Sequence, residues 1–181
     1  LEVPGQREEL GMKSFMAGET YLGARWTYFP FALAVKTPLL ILLLGGMGLW
    51  MLRRHSQRAV LYWILLFCPG VFLLGNILFN EFNIGVRYVL PVIPFLVLIS
   101  GFALSRKGGG MRIAKTICIP LHLVLILGVF PNYIAYFNAT SWVVPKDQLL
   151  TDSNLDWGQM DHLVSEDFKA HQYPAAQLDT M

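Results

Sequence analysis

The sequence predicts an all-α polytopic membrane protein with about four transmembrane helices and a short extracytoplasmic C-terminal segment. Three observations carry that prediction. Hydrophobic residues make up 55% of the 181 residues and charged residues only 14%, whereas about a quarter of a soluble domain is charged; the mean hydropathy is +0.49. The apolar residues gather into runs close to the roughly 20 residues that cross a hydrocarbon core about 30 Å thick. The short loops between the runs are basic and free of acids on one side only, as retention of Lys and Arg in the cytoplasm predicts.

Residues 1–36 form an extracytoplasmic loop leading into the first span, residues 37–135 a four-helix transmembrane region, and residues 136–181 an extracytoplasmic tail with an amphipathic helix. The spans fall at about 37–52, 59–79, 88–104 and 113–135. The first is short and borrows the apolar turn FALAV at 31–35. Pro69, Pro91, Pro94, Pro120 and Pro131 punctuate the spans, so kinks are expected where neighbouring groups satisfy the freed carbonyls. In the tail, Trp157, Met160, Leu163, Val164 and Phe168 recur at three- and four-residue steps and predict one apolar helical stripe.

The loops RRHSQR at 53–58 and SRKGGGMRIAK at 105–115 hold Arg53, Arg54, Arg58, Arg106, Lys107, Arg112 and Lys115 and no acid. A four-span count puts both on the cytoplasmic side. The N-terminal segment, the loop around 80–87 and the tail then share the opposite face. The chain opens LEVPGQREEL without a charged n-region and apolar h-region, so its outer N-terminal segment reads as the continuation of a longer membrane protein whose upstream part delivered it there. The net charge of +2, with scattered cations, excludes a phosphate-neutralising nucleic-acid surface. Cys68 and Cys118 each lie inside apolar runs and read as small buried hydrophobes.

The polar phrase DSNLDWGQ at 152–159 stands out against this background. Ser153 with Asp156 three residues later forms a capping-box pattern, which leaves Asp152, Asn154 and Gln159 unexplained. As a calcium loop it fails: Trp157 stands where the turn needs Gly, and Leu163 where a bidentate Glu belongs. Sugar recognition uses planar donors and acceptors beside an aromatic face, and Asp152, Asn154, Asp156, Trp157 and Gln159 supply both. Lys36, just before the first span, and Arg87, at the start of the third, lie at the outer interface. Each either snorkels there or receives an anionic lipid headgroup, Arg through paired contacts and Lys as a point charge. His122 lies within an apolar span, where an ionisable group marks a functional position by default. Asn138-Ala139-Thr140 is a glycosylation sequon on the outer side.

Taken together, FMAGETYLGARWTYFPFALAVKTPLLILLL, NIGVRYVLPVIPFL, PNYIAYFN and LLTDSNLDWGQ resemble the C-terminal half of the polytopic glycosyltransferases of the GT-C superfamily, family 39, related to protein mannosyltransferases. The resemblance covers about residues 14–160. It implies a polyprenyl-phosphate sugar donor, a reaction at the non-cytoplasmic face of a multi-pass protein of the bacterial plasma (inner) membrane, donor-phosphate binding by Lys36 and Arg87, and sugar binding or cavity shaping by Asp152, Asn154, Asp156, Trp157 and Gln159. The sequence departs from the family pattern at Tyr88 and Met160, where family members carry His and Asp. The family's catalytic acids belong to a first outer loop that has no counterpart here, so the base, and any divalent metal, are expected on the remainder of a full-length chain. The reading from a different class is a non-catalytic membrane subunit that binds lipid headgroups or supports assembly.

Overall fold

A computed structural model describes residues 13–54, 59–81, 83, 85–156, 158, 161, 166 and 167, the side chain of Asp152 excepted. The predicted amphipathic stripe in the tail, together with Trp157 and Gln159, lies outside the described residues.

The chain is mostly helical, as predicted, with one addition. Two four-residue strands, β1 (Lys13–Met16) and β2 (Glu19–Leu22), pair antiparallel with Met16 opposite Glu19. Ala17 and Gly18 connect them with φ values of 52° and 85°, the left-handed pair that a tight hairpin turn needs. An Ala in the first of these positions is an uncommon turn signal, which is why the sequence gives little warning of the hairpin.

Helix α1 (Tyr28–Lys36) is followed after two residues by α2 (Leu39–Arg53), and the two are bent by 112°. The apolar turn FALAV therefore does not extend the first span in a straight line. The cause is local: Pro38 disfavours helical backbone at Thr37, and Thr37 is extended at φ −80°, ψ 134°. Helix α3 (Ala59–Phe79) runs 21 residues through Pro69. Helix α4 is shorter than the expected span at 88–104. Residues Val86–Val89 form a 3-10 turn, and the α-helix covers only Val92–Leu104. Pro91 and Pro94 fall before and within its first turn, where a missing N–H costs no intrahelical bond.

Helix α5 (Gly109–Leu127) contains a π-helical turn at Ala114–Cys118, immediately before Pro120. The proline ring displaces the carbonyl four residues back, and the wider turn absorbs the displacement. The chain beyond α5 enters 3-10 turns at Tyr133–Ala135 and Ala139–Trp142, a short helix α6 (Lys146–Leu149), and a 3-10 turn at Asp152–Asn154. Ser153 thus sits inside a turn rather than in front of a helix, where the capping pattern placed it.

Among the described residues, α3 and α5 are long and apolar enough to cross a membrane, and the bent pair α1–α2 would make a third span; α4 is shorter. Only 6% of the apolar window of α3 and of α5 is buried within the protein, so these helices present their apolar side chains outward, as lipid-facing helices do.

Two apolar clusters fix the arrangement. At one end Tyr28, Phe29, Val89, Val92, Phe137, Leu149 and Leu150 are buried together, with Leu73 and Ile77 of α3 against them. At the other, Leu52 of α2, Leu65 of α3 and Ile99 of α4 meet, flanked by Tyr62 and Phe102. Helices α2 and α4 therefore run from the first cluster toward the second, and α3 runs back. Helices α2 and α4 form the most extensively packed helix pair, and glycine makes the approach possible. A Cβ on Gly48 would collide with the Ile99 carbonyl, while the single hydroxyl hydrogen of Ser100 is shared between Leu96 O at 2.7 Å and Ile41 O at 3.0 Å. Small residues and hydroxyls at such a contact are the normal means of association for helices in lipid.

Candidate functional site

The first cluster supports a cavity of about 470 Å³ whose lining is predominantly apolar. Its wall is assembled from four distant segments: Lys36, Thr37 and Pro38 at the α1–α2 bend, Val86, Arg87, Leu90 and Ile93 at the entry to α4, Tyr133, Ile134 and Tyr136 beyond α5, and Ser153 and Asn154 of the DSN turn. Thus Lys36, Arg87 and Asn154, singled out separately in the sequence, line one space.

Asn138 holds the α1 end of this wall. The last carbonyls of a helix have no partner within it. Here Thr37 N donates to Leu33 O at 2.9 Å, Asn138 Nδ2 to Ala34 O at 2.6 Å, and Asn138 N to Val35 O at 2.9 Å. Asn138 Nδ2 also reaches Thr37 O at 2.9 Å, and its Oδ1 accepts from Thr140 N and Oγ1. The amide of the sequon is buried and fully engaged in stabilising the bend, so as folded it is closed to glycosylation.

Asn154 holds the opposite wall. Its Nδ2 donates to the Tyr28 hydroxyl at 2.9 Å and to Thr151 O at 3.0 Å, and its Oδ1 accepts from Val86 N at 3.0 Å. It is 1% exposed. Both hydrogens of its amide are therefore taken by partners within the protein. Gly85 lets the 3-10 turn that carries Arg87 lie directly on Ser153, since a Cβ there would overlap Ser153 Oγ.

Lys36 projects between these walls. Its ammonium donates to Ile134 O at 2.7 Å and to the carbonyl of Asn154, and lies 4.0 Å from the Phe137 ring centroid. An ammonium has three N–H donors, and these two bonds engage two of them. The Arg87 guanidinium lies 5.2 Å from the Tyr88 ring centroid. Thr37 contributes a polar atom of a different kind: it is 1% exposed, and its Oγ1 has no hydrogen-bond partner among the described residues. Burial raises the Tyr136 phenol above its ordinary value. Nothing in the local sequence singles out Thr37, Tyr28, Tyr133 or Tyr136.

The remaining candidates, Asp156 and His122, do not line this cavity, nor do the acids Glu19 and Glu81. Asp156 is exposed, as is Glu81, and Glu19 makes an exposed ion pair with Arg25 at 2.8 Å. Asn83 instead ties the hairpin to the α3–α4 loop, its Nδ2 donating to the Tyr21 hydroxyl at 2.9 Å and to Arg25 O at 3.2 Å. Burial pushes the Tyr21 phenol up, against the opposing effects of the Asn83 hydrogen bond and the Arg25 charge. His122 Nε2 is buried without a partner among the described residues and does not line the cavity. No group of three or more His, Cys, Asp or Glu capable of holding a metal occurs among the described residues.

Fold and site together define a mostly helical protein with two to three helical segments long and apolar enough to cross a membrane and a cation-bearing, largely apolar cavity at one end of its helix bundle. Comparison with protein-family models, with curated proteins and with solved structures gives no match.

Proposed function

We propose that the chain is the C-terminal portion of a membrane glycosyltransferase that transfers a sugar from a polyprenyl-phosphate donor to an acceptor at the non-cytoplasmic face. The observation that carries this reading is the convergence of Lys36 and Arg87 on one apolar cavity beside the Thr37 hydroxyl, which has no hydrogen-bond partner among the described residues. A polyprenyl phosphate has two parts with opposite demands, a long hydrocarbon and a compact anion. The apolar wall suits the first, while a guanidinium, an ammonium and a hydroxyl donor suit the second.

In the reaction the acceptor hydroxyl attacks the anomeric carbon as the bond from that carbon to the phosphate oxygen breaks. The lipid phosphate leaves with the bonding electrons, and the hydroxyl proton passes to a carboxylate base. Lys36 and Arg87 stabilise the charge that grows on the departing phosphate. The base, and any divalent metal, would be supplied by the remainder of a longer chain. In this reading four segments cross the bilayer, with α1–α2 and α4 completed by their flanking turns, in the plasma membrane of a bacterium. The tail, the hairpin and the α3–α4 loop all face outward.

The test is a transfer assay on the full-length protein with polyprenyl-phosphate sugars, wild type against Arg87→Ala. Sugar transfer that falls at least tenfold in the variant supports the reading. Transfer that is absent for every donor, while the purified protein still binds lipid phosphate, favours the non-catalytic subunit. Unchanged kinetics would return Arg87 to snorkelling.

A further inference from the structure

The end of the bundle remote from this cavity carries a second hollow. Arg106, Lys107, Arg112 and Lys115 line a cavity of about 460 Å³ where the chain turns from α4 into α5. Gly108, at φ 148°, makes the turn in backbone that favours glycine. The turn sets Arg106 and Lys107 against Arg112 and Lys115, which lie three residues apart on one face of α5. The whole of 82–146 contains no Asp or Glu. The N-terminus of α5 opens here too, its first intrahelical bond being Arg112 N to Gly108 O at 3.0 Å. The preceding amides and the positive end of a 19-residue helix therefore add to the field of four cations.

The surroundings state what kind of anion fits. The Arg106 guanidinium lies 5.1 Å from the Phe102 ring centroid, and Ile113 and Ile117, at 56% and 59% exposure, continue outward along α5 from the basic rim. A ligand seated among the cations would thus have apolar surface beside it, running in the direction of the membrane-spanning helix. We propose that this basin is a binding site for the phosphate headgroup of an anionic phospholipid in the leaflet opposite the Lys36–Arg87 cavity. The acyl chains lie along α5 and the phosphate sits among Arg106, Lys107, Arg112 and Lys115. Basic pockets between helices at a membrane surface recognise lipids in this way. The inference rests on the chain spanning a bilayer and is independent of the transferase reading.

The experiment measures the association of spin-labelled phosphatidylglycerol and phosphatidylcholine with the full-length protein in mixed bilayers. Wild type should select phosphatidylglycerol, and Lys107→Gln should weaken that selectivity about 5-fold, the weight of one cation close to an anionic headgroup. Lys107 is exposed, so its replacement leaves the fold intact. Arg112→Gln with Lys115→Gln should bring the selectivity close to parity, whereas Arg53→Gln with Arg54→Gln, an equal loss of charge at the same end of the bundle, should retain it. Equal selectivity in wild type and the basin variants overturns the proposal. So does an equal loss in the Arg53/Arg54 variant, which would assign the effect to the general charge of that face. Displacement of the lipid by millimolar glycerol phosphate would also overturn it, in favour of a water-borne phosphate ligand.

Discussion

The side-chain amide of Asn154 donates to the hydroxyl of Tyr28 at 2.9 Å across 126 residues of sequence. This bond joins the DSN turn to the first turn of α1, and the same amide secures Val86 N, one residue before Arg87. Asn154→Ala would leave the Tyr28 hydroxyl, Val86 N and Thr151 O without this partner in a buried setting. The expected loss is about 2–4 kcal/mol, since each stranded buried group costs about 1–3 kcal/mol and some relax. Thermal unfolding of the purified protein checks it; a melting temperature equal to that of wild type would remove Asn154 from its place as the clamp between the two walls.

Thr37 separates binding from stability more cleanly than either cation. Its hydroxyl is buried and lacks a partner among the described residues, so Thr37→Val, a substitution of nearly equal shape, should leave stability unchanged or slightly raised. If the hydroxyl serves the donor phosphate, the same variant should raise the donor KM about tenfold, the equivalent of about 1.4 kcal/mol. A stable variant with wild-type KM would show that the phosphate does not use this hydroxyl.

The α2–α4 contact makes a prediction of opposite kind. Gly48 faces the Ile99 carbonyl so closely that any Cβ must push the helices apart, while a Cβ on Gly46 meets nothing within 4 Å. Gly48→Leu should therefore destabilise the protein by about 1–3 kcal/mol or more, the usual range for overpacking. Gly46→Leu should be neutral or stabilising, because it replaces glycine within an exposed helical stretch. Equal effects from the two substitutions, followed by thermal unfolding in detergent, would contradict the close α2–α4 approach.

How much of this was legible in the sequence depends on whether a signal is local. Hydropathy marked the apolar stretches of α3 and α5 because every residue in a span meets the same solvent. The bend at Thr37 had a local signal too, the Thr-Pro pair, although the apolar run on either side of it reads as one stretch. The role of Asn154 was not legible. An amide announces that it needs partners but not which ones, and here two of the three are 68 and 126 residues away. Asn138 misled for the same reason: its sequon is a three-residue pattern, whereas its partners Ala34 and Thr37 lie 104 and 101 residues back. The convergence of Lys36 and Arg87 sits between these cases, since both were placed at one interface by topology, yet only the fold sets them in the wall of the same cavity.

Sidedness underlies both proposed sites and can be measured directly. Helices α2 and α4 begin at the Lys36–Arg87 cavity and end at the cluster around Leu52 and Ile99, so the two basic loops and the cavity lie at opposite ends of the bundle. With Cys68 and Cys118 replaced by Ala, a single cysteine at Asp147 or at Lys107, both exposed positions, reports on one end each. In intact cells an impermeant maleimide should label Asp147→Cys at once and Lys107→Cys only after the membrane is permeabilised. The reverse pattern would put the cavity in the cytosol, where a donor presented at the outer leaflet cannot reach Lys36 and Arg87. Labelling of both positions in intact cells would mean that the chain between them does not divide the two ends across the bilayer, and would remove the opposite-leaflet assignment of the basic basin as well.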